Sequence, residues 1–170
     1  MEALGLPYAI GGALALGYWG QARGTHDVDV NVFLPGQQFD AACDALERAG
    51  VVVDRSAGRT RAADGEYVRG MAGDVPVDLF MNSIPLHESA ALRTRIRPLL
   101  NRPACILSAE DIAVLKMLFH RGKDLTDVER LLALRRADLD RDYVRRWLVD
   151  TAGEDNYRVA DWDQMVRDLG

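Results

Sequence analysis

A chain of 170 residues, 48% of them hydrophobic, is long enough to bury the core of one compact domain with a helical appendage. Two cysteines are too few for the disulfide framework of a small secreted protein, and a formal net charge of -5 is untypical of a protein that coats nucleic acid. The apolar runs are shorter than the ~20 residues of a membrane span, and the first residues lack the pattern of an export signal. A cytoplasmic protein without a membrane partner is therefore predicted.

The first half of the sequence predicts alternating strands and helices. An apolar strand ends at Ile10, and Gly11 and Gly12 form a tight turn into a helix that extends to Trp19. Polar and apolar side chains alternate over 27–33, as they do in a strand with one buried face. The other elements predicted in this half are a helix over 39–49, a strand over 51–53, a mobile loop over 58–65, and a hairpin of strands 67–71 and 75–81.

The second half predicts helices. Ser108 can cap the first of them, with Asp111 at the third helical position, and further helices are predicted over 125–134, 143–149 and 162–169. The fold class is therefore α/β (α+β), with a small twisted mixed sheet and flanking helices. We expect a catalytic core over residues 1–103 and a helical region packed on it over 104–170.

Three aspartates carry the predicted chemistry. Asp27 and Asp29 lie one residue apart on a strand, so their side chains point the same way, and their repulsion is relieved if a cation lies between them. Asp78 interrupts a later apolar strand and can complete the site. Mg²⁺ is the expected ion because it binds carboxylate and phosphate oxygens together, and three acids suit two ions. We therefore predict that all three aspartates are both metal ligands and catalytic residues, with Asp78 as the candidate base.

The two glycines predict a phosphate site. At a junction between a strand and a helix, residues without side chains allow a phosphate to approach backbone N–H groups at the positive helix end. Gly11 and Gly12 occupy such a junction and could hold a nucleoside triphosphate. In-line transfer of a nucleotide would then need one ion at the attacking hydroxyl and another at the leaving pyrophosphate.

These residues together resemble the polymerase β superfamily of nucleotidyltransferases. The family pattern is a turn of Gly-Gly or Gly-Ser, an Asp-x-Asp on a strand, and a later Asp, which correspond here to Gly11, Gly12, Asp27, Asp29 and Asp78. The match covers roughly the first half of the chain. It implies a nucleotidyltransferase fold and transfer of a nucleoside monophosphate to a hydroxyl group.

A narrower resemblance extends to about residue 130. Arg23 and Thr25 precede the acids in the spacing Arg-x-Thr-x-Asp-x-Asp, and the segment from Lys116 to Asp127 is similar to the AbiEii-type toxins of type IV toxin–antitoxin systems. The resemblance implies that Arg23, Thr25, Lys116 and Asp124 bind nucleotide, with Asp127 as the alternative to Asp124. Relatives place a full helix before the first strand, whereas five residues precede it here, so an abbreviated N-terminus is expected.

Each of these residues also has a purely structural interpretation. The acids could form a solvated strand face, the glycines could be only a turn, and Arg23 could pair with Asp27 or Asp29. Thr25 could cap or orient a neighbour. Lys116 could reach the surface, and the two later aspartates could cap a helix at its N-cap and third positions. The densest basic run, Arg93 to Arg102, could bind an RNA acceptor or be solvated charge.

Several functions remain open. The resemblance implies nucleotide transfer to an RNA end, most naturally transfer RNA, by a toxin-like protein with an antitoxin protein as a partner. The alternative is an enzyme of the same chemistry acting on a small hydroxylated antibiotic of the aminoglycoside or lincosamide type. A relative that binds nucleotide without turnover and a metal-dependent nuclease are further hypotheses.

Overall fold

A mixed seven-stranded sheet organises the first of two compact units. The computed structural model describes residues 5–169, and their contacts divide them into one unit of residues 5–14 and 24–107 and a second unit of residues 15–23 and 108–169. The strands are β1 (Tyr8–Ile10), β2 (Val28–Pro35), β3 (Val52–Val53), β4 (Val68–Ala72), β5 (Val75–Asn82), β6 (Arg95–Leu99) and β7 (Arg102–Ile106). Their order in the sheet is β3-β4-β5-β2-β1-β7-β6, with β2–β5 and β1–β7 parallel and the other pairs antiparallel. The predicted α/β fold with a mixed sheet is confirmed.

The alternation of β2 separates an apolar face from a polar one. Val30 and Val32 are buried in a hydrophobic cluster that also contains Phe39 and Leu46 of the helix α2 (Phe39–Arg48). Asp29, which immediately precedes Val30, projects to the opposite face because successive side chains of a strand alternate. The apolar cluster therefore fixes which face of the sheet carries the acids, since a slip by one residue would bury the carboxylates.

The predicted mobile loop over 58–65 is wrong, because helix α3 (Arg55–Ala63) occupies most of it. Asp54 caps this helix by accepting hydrogen bonds from the N–H groups of Ser56 and Ala57 at 3.0 and 3.1 Å. Gly58 is a packing residue rather than a loop residue. A Cβ atom there would lie 2.5 Å from Cζ of Phe39, so only glycine allows the close approach.

The basic run beginning at Arg93 forms a helix end and a hairpin that the sequence patterns did not predict. Helix α4 (Leu86–Arg93) precedes β6, and β6 pairs with β7 through a turn in which Leu100 and Asn101 have φ values of 48° and 63°. A non-glycine residue with positive φ gives little warning in a sequence, except where it is asparagine.

The second unit is helical, as predicted. Its helices are α5 (Ala109–Phe119), α6 (Gly122–Leu134), α7 (Arg141–Ala152) and α8 (Tyr157–Leu169), together with most of α1 (Gly12–Trp19), whose first residues belong to the first unit. Ser108 caps α5 as predicted, since its Oγ accepts a hydrogen bond from the N–H of Asp111 at 3.1 Å. Helix α5 packs against α6 and α7.

Two sequence expectations concern the limits of the chain and of its parts. The predicted division between residues 103 and 104 lies inside β7, while the contacts divide the chain after Leu107. The division into a catalytic core and a helical region packed on it stays a prediction. The expected abbreviated N-terminus concerns residues 1–4, which lie outside the described residues.

Candidate functional site

Asp29 and Asp78 are neighbours on adjacent parallel strands. They are Cα partners in the register of β2 with β5, so their side chains project from the same face of the sheet. Asp78 is 6% exposed. The predicted strand of the first two acids begins one residue later than expected, at Val28, so Asp27 immediately precedes β2. The structure thus brings two of the three predicted acids together by strand pairing and places the third, Asp27, immediately before β2.

The glycine turn lies directly against Asp29. The N–H of Gly11 donates to the carbonyl oxygen of Asp29 at 2.9 Å, which joins the end of β1 to β2. Gly12 has a φ of +54°, and a Cβ atom there would lie 1.6 Å from Oδ2 of Asp29. The missing side chain of Gly12 therefore leaves room for a carboxylate, in addition to the room for phosphate that the sequence suggested.

Asp78 is held by an arginine that the sequence analysis did not consider. Nε of Arg69 donates to Oδ1 of Asp78 at 2.7 Å, and Nη2 donates to Oδ2 at 2.8 Å, which is a bidentate pair. The two residues are Cα partners across the hairpin of β4 and β5. Hydrogen bonding to Asp78, together with the charge of that carboxylate, raises the pKa of Arg69.

Thr25 orients the first acid. Its hydroxyl donates to Oδ1 of Asp27 in a short hydrogen bond and lies 3.4 Å from the carbonyl oxygen of the same residue. This contact is the structural role that the sequence left open for Thr25. It fixes one oxygen of Asp27 beside the start of β2.

Arg23, Lys116 and Asp124 belong to a buried ion network of the second unit. Nζ of Lys116 donates to Asp124 at 3.2 Å and to Asp127 at 2.7 Å. Arg23 pairs with Asp127 at 3.1 Å, and Arg121 pairs with Asp124 at 2.5 Å. Lys116 is 6% exposed, so it is a buried lysine with anionic partners rather than the surface lysine that the sequence also allowed. Both aspartates of the resemblance serve this network together.

The network lowers the pKa values of its two aspartates. Burial by itself would raise the pKa of Asp124, but hydrogen bonding from Arg121 and the charge of Lys116 outweigh it and lower that pKa. Burial opposes, and Lys116 and Arg23 lower, the pKa of Asp127 in the same way. Asp124 also accepts a hydrogen bond from the N–H of Arg121 at 3.3 Å, so it is the third residue of α6 and not the N-cap that the sequence spacing suggested.

The acid face is the face of the sheet from which Asp29 and Asp78 project. Its carboxylates are suitable ligands for a divalent ion, but they do not form a complete metal site. Over residues 5–169, no group of three or more His, Cys, Asp and Glu side chains is arranged so that it could hold a metal ion. The carboxylate oxygens of Asp29 and Asp78 nevertheless are donors that Mg²⁺ prefers, and they lie on neighbouring strands. An ion at Asp78 must share that carboxylate with Arg69 or displace it. The donor set fits Mg²⁺ on this condition.

A mixed sheet with a glycine turn beside aspartates on neighbouring strands, followed by helices, is a nucleotidyltransferase-like fold, and solved structures show the same fold. The solution structure of the antibiotic-resistance factor ANT(2'')-Ia has a TM-score of 0.51 and 14% identity, covering 98% of this chain and 85% of that chain. The crystal structure of an antigenic nucleotidyltransferase-like protein from Paracoccidioides brasiliensis has a TM-score of 0.51 and 15% identity, covering 95% of this chain and 86% of that chain. At such identities the similarity shows the fold alone.

A third solved structure has a slightly lower TM-score. The crystal structure of the lincosamide antibiotic adenylyltransferase LnuA with bound lincomycin has a TM-score of 0.49 and 13% identity, covering 78% of this chain and 90% of that chain. No protein-family model matches the sequence, and no curated protein matches it either. Within the described residues, no helix is both long enough and apolar enough to cross a membrane.

Proposed function

We propose that this protein is a Mg²⁺-dependent nucleotidyltransferase, which moves a nucleoside monophosphate from a nucleoside triphosphate to a hydroxyl group. The observation that carries the proposal is the pairing of Asp29 with Asp78 on parallel strands, with the Asp29 carboxylate against the backbone of Gly12. This arrangement puts carboxylates and a side-chain-free turn at the start of α1 in one place. The similarity in fold to nucleotidyltransferase structures supports it.

The chain's own residues have distinct tasks in this proposal. Asp27, Asp29 and Asp78 do not form a metal-binding group as they stand, and would hold the ions once their side chains and Arg69 rearrange. The ions would supply the positive charge that stabilises the transferring phosphate and the leaving pyrophosphate. Gly12 would present its backbone N–H group to the triphosphate, whereas Gly11, whose N–H is bonded to the carbonyl oxygen of Asp29, would shape the turn. A carboxylate oxygen of Asp78 would accept the proton of the attacking hydroxyl. Thr25 would keep Asp27 in position through its hydrogen bond to Oδ1.

Nucleotide binding by Arg23, Lys116 and Asp124 stays a prediction. In the structure Lys116 is shared by the buried carboxylates of Asp124 and Asp127, and Arg23 pairs with Asp127. Arg23 is the most exposed of the three, with 30% of its side chain open to solvent. We therefore propose Arg23 as the member of this network that contacts phosphate, and we assign Lys116 and Asp124 to holding the network together around Asp127.

The acceptor has two candidates. The sequence resemblance to AbiEii-type toxins favours an RNA end, especially transfer RNA, and with it a toxin-like role and an antitoxin partner. The fold that this chain shares with ANT(2'')-Ia, an antibiotic-resistance factor, favours a small hydroxylated antibiotic, and the comparisons support this alternative better than the RNA end. Both acceptors use the same transfer chemistry at the acid face.

The test is transfer of label from each nucleoside triphosphate, with Mg²⁺, to total transfer RNA or to a panel of aminoglycosides and lincosamides. We expect label on one acceptor class, and a loss of at least about 10²-fold for Asp29→Asn, because electrostatic stabilisation by positioned charges is a large contribution to catalysis. Asp44→Asn is the matched control, since Asp44 is an exposed acid of α2 that pairs with Arg55.

Three results would count against the proposal. Transfer by Asp29→Asn at the rate of the unmodified protein would remove the acids from the mechanism. Label on neither acceptor, together with triphosphate binding that does not depend on Asp29, would favour a relative that binds without turnover. RNA cleavage in the absence of triphosphate would favour the nuclease hypothesis.

A further inference from the structure

A cavity beside the acid face is not used by the chemistry proposed above. It has a volume of about 220 Å³ and lies between helix α3 and strand β4, within the first unit. Its lining includes Arg61 from the helix, and Tyr67 and Arg69 at the start of the strand. Gly58 also lines it, on the side of the helix that packs against Phe39. The lining thus combines two guanidinium groups and an aromatic ring with one acid, Asp54, whose Oδ1 accepts hydrogen bonds from the first turn of α3.

Both guanidinium groups lie over the ring of Tyr67. The Cζ atom of Arg61 is 5.3 Å from the ring centroid, and that of Arg69 is 5.8 Å from it. Such cation–π contacts hold a guanidinium group in place without using its N–H donors. The two arginines are thus positioned together by a side chain that does not neutralise them.

Both arginines have donors left over. Arg61 uses Nε for the carbonyl oxygen of Tyr67 and Nη2 for Glu66, at 3.0 and 3.2 Å. Arg69 uses Nε and Nη2 for Asp78. Among the described residues, no hydrogen bond engages Nη1 of either arginine. Since a guanidinium group has five N–H donors, each can bind a further acceptor without breaking its present contacts.

The two acids that pair with Arg61 and Arg69 differ in their exposure to solvent. Arg61 and Glu66 form a pair whose side chains are 46% and 57% exposed, and exposed pairs contribute little stability and are screened by salt. A phosphate can therefore compete with Glu66. The other arginine pairs with the buried Asp78, so a ligand in the cavity would touch the group that borders the acid face.

We propose that the cavity between Arg61, Tyr67 and Arg69 binds a phosphate group of the acceptor, next to the site where its hydroxyl is activated. This inference rests on the proposed function and narrows its acceptor to a phosphate-bearing molecule, such as a nucleotide or a polynucleotide end. Two fixed guanidinium groups disfavour a polycationic acceptor of the aminoglycoside class, because like charges repel at this range. Arg69 contributes to both the cavity and Asp78, and so links acceptor binding to the acids.

The test is binding of a short fluorescent single-stranded oligoribonucleotide to the full chain, over a series of salt concentrations. We expect Arg61→Gln to weaken binding by about tenfold, as loss of one charge-assisted contact does, and to reduce the salt exponent by about one. Arg59→Gln is the matched control, because Arg59 lies on the same helix and pairs with Asp40. It should leave both quantities unchanged.

Two more variants separate binding from folding. Glu66→Gln removes the competing carboxylate and should tighten oligonucleotide binding. Arg61→Lys keeps the charge but loses the planar fork, so it should retain the salt exponent and recover part of the affinity. A merely structural role for Arg61 would change the melting temperature without changing the salt exponent.

The outcomes distinguish this inference from the proposed function. Equal oligonucleotide binding by Arg61→Gln and Arg59→Gln would overturn the subsite, even if transfer occurs. Weaker binding of a non-hydrolysable triphosphate with Mg²⁺ to Arg61→Gln, without an effect on the oligonucleotide, would assign the phosphate to the donor and overturn it as well. If oligonucleotide binding depends on Arg61 but the protein has no transfer activity, the phosphate subsite is supported and the proposed function is refuted.

Discussion

Replacing Gly12 by alanine should lower the free energy of unfolding by more than the strain of the backbone conformation alone. The residue has a φ of +54°, and the left-handed region costs a residue with a Cβ atom about 1–2 kcal/mol. The new Cβ atom would also lie 1.6 Å from Oδ2 and 2.5 Å from Cγ of Asp29, so the carboxylate must leave its position. Moving it to another rotamer and breaking its contacts adds about 1–3 kcal/mol. We expect a total loss of about 3 kcal/mol in the free energy of unfolding, or roughly 6–12 °C in Tm for a chain of this length.

The control for this substitution is Gly73→Ala. Gly73 has a nearly equal φ of +59°, and a Cβ atom there would have no neighbour within 4 Å. Urea unfolding followed by circular dichroism gives both free energies, and their difference measures the collision with Asp29. In an Asp29→Ala background the cost of Gly12→Ala should fall to about that of Gly73→Ala, since only the Cβ of residue 29, at 3.0 Å, remains near.

Calorimetric titration with a non-hydrolysable triphosphate and Mg²⁺ completes the test, because the displaced carboxylate is a predicted ligand. We expect Gly12→Ala to weaken this binding and Gly73→Ala to leave it unchanged. Equal unfolding free energies for the two variants would refute the reasoning from the Cβ position.

Three further substitutions test other parts of the structure by urea unfolding. Lys116→Met removes the cation that two buried carboxylates share, while Arg23 and Arg121 remain as their partners, and should cost about 2–3 kcal/mol at pH 7. Because the pKa values of Asp124 and Asp127 are lowered in the folded protein, this contribution is fully present above about pH 4 and should fade as the pH falls through the lowered values; a constant difference would contradict it. Burial lowers the pKa of His87 to about 4, so the unfolded chain takes up a proton at this residue at a higher pH than the folded protein does. Between pH 7 and pH 5, the free energy of unfolding of the unmodified protein should therefore fall by about 2 kcal/mol more than that of His87→Asn. Gly58→Ala should cost about 1–3 kcal/mol by overpacking, and an unchanged urea midpoint would show that α3 can shift.

The sequence predicted the local part of the site better than its long-range part. The alternation over 27–33 and the double glycine predict a polar strand face after a turn, because both depend on neighbouring residues alone. The pairing of Asp29 with Asp78 joins strands far apart in the chain, and no local pattern specifies which strands become neighbours. The prediction that Asp29 and Asp78 lie together was based on what a metal-dependent transfer reaction requires, and not on a local sequence pattern.

Arg69 could have been found from the sequence. The hairpin was predicted with its turn at Gly73 and Asp74, and counting back from that turn places residue 69 opposite residue 78. A basic residue directly opposite a predicted catalytic acid is a candidate partner by cross-strand pairing. The helix at 55–63 was harder to predict, because its glycine is present for packing against Phe39, which only the three-dimensional arrangement shows.

The two borders of the sheet limit how the molecule can associate. One border is β3, which has only two residues, and the other is β6, which carries Arg95, Arg97 and Pro98. A foreign strand that approached β6 would meet fixed positive charges and a proline that cannot donate a hydrogen bond. Both edges of the sheet that residues 5–169 form therefore carry features that disfavour pairing with a strand of another molecule.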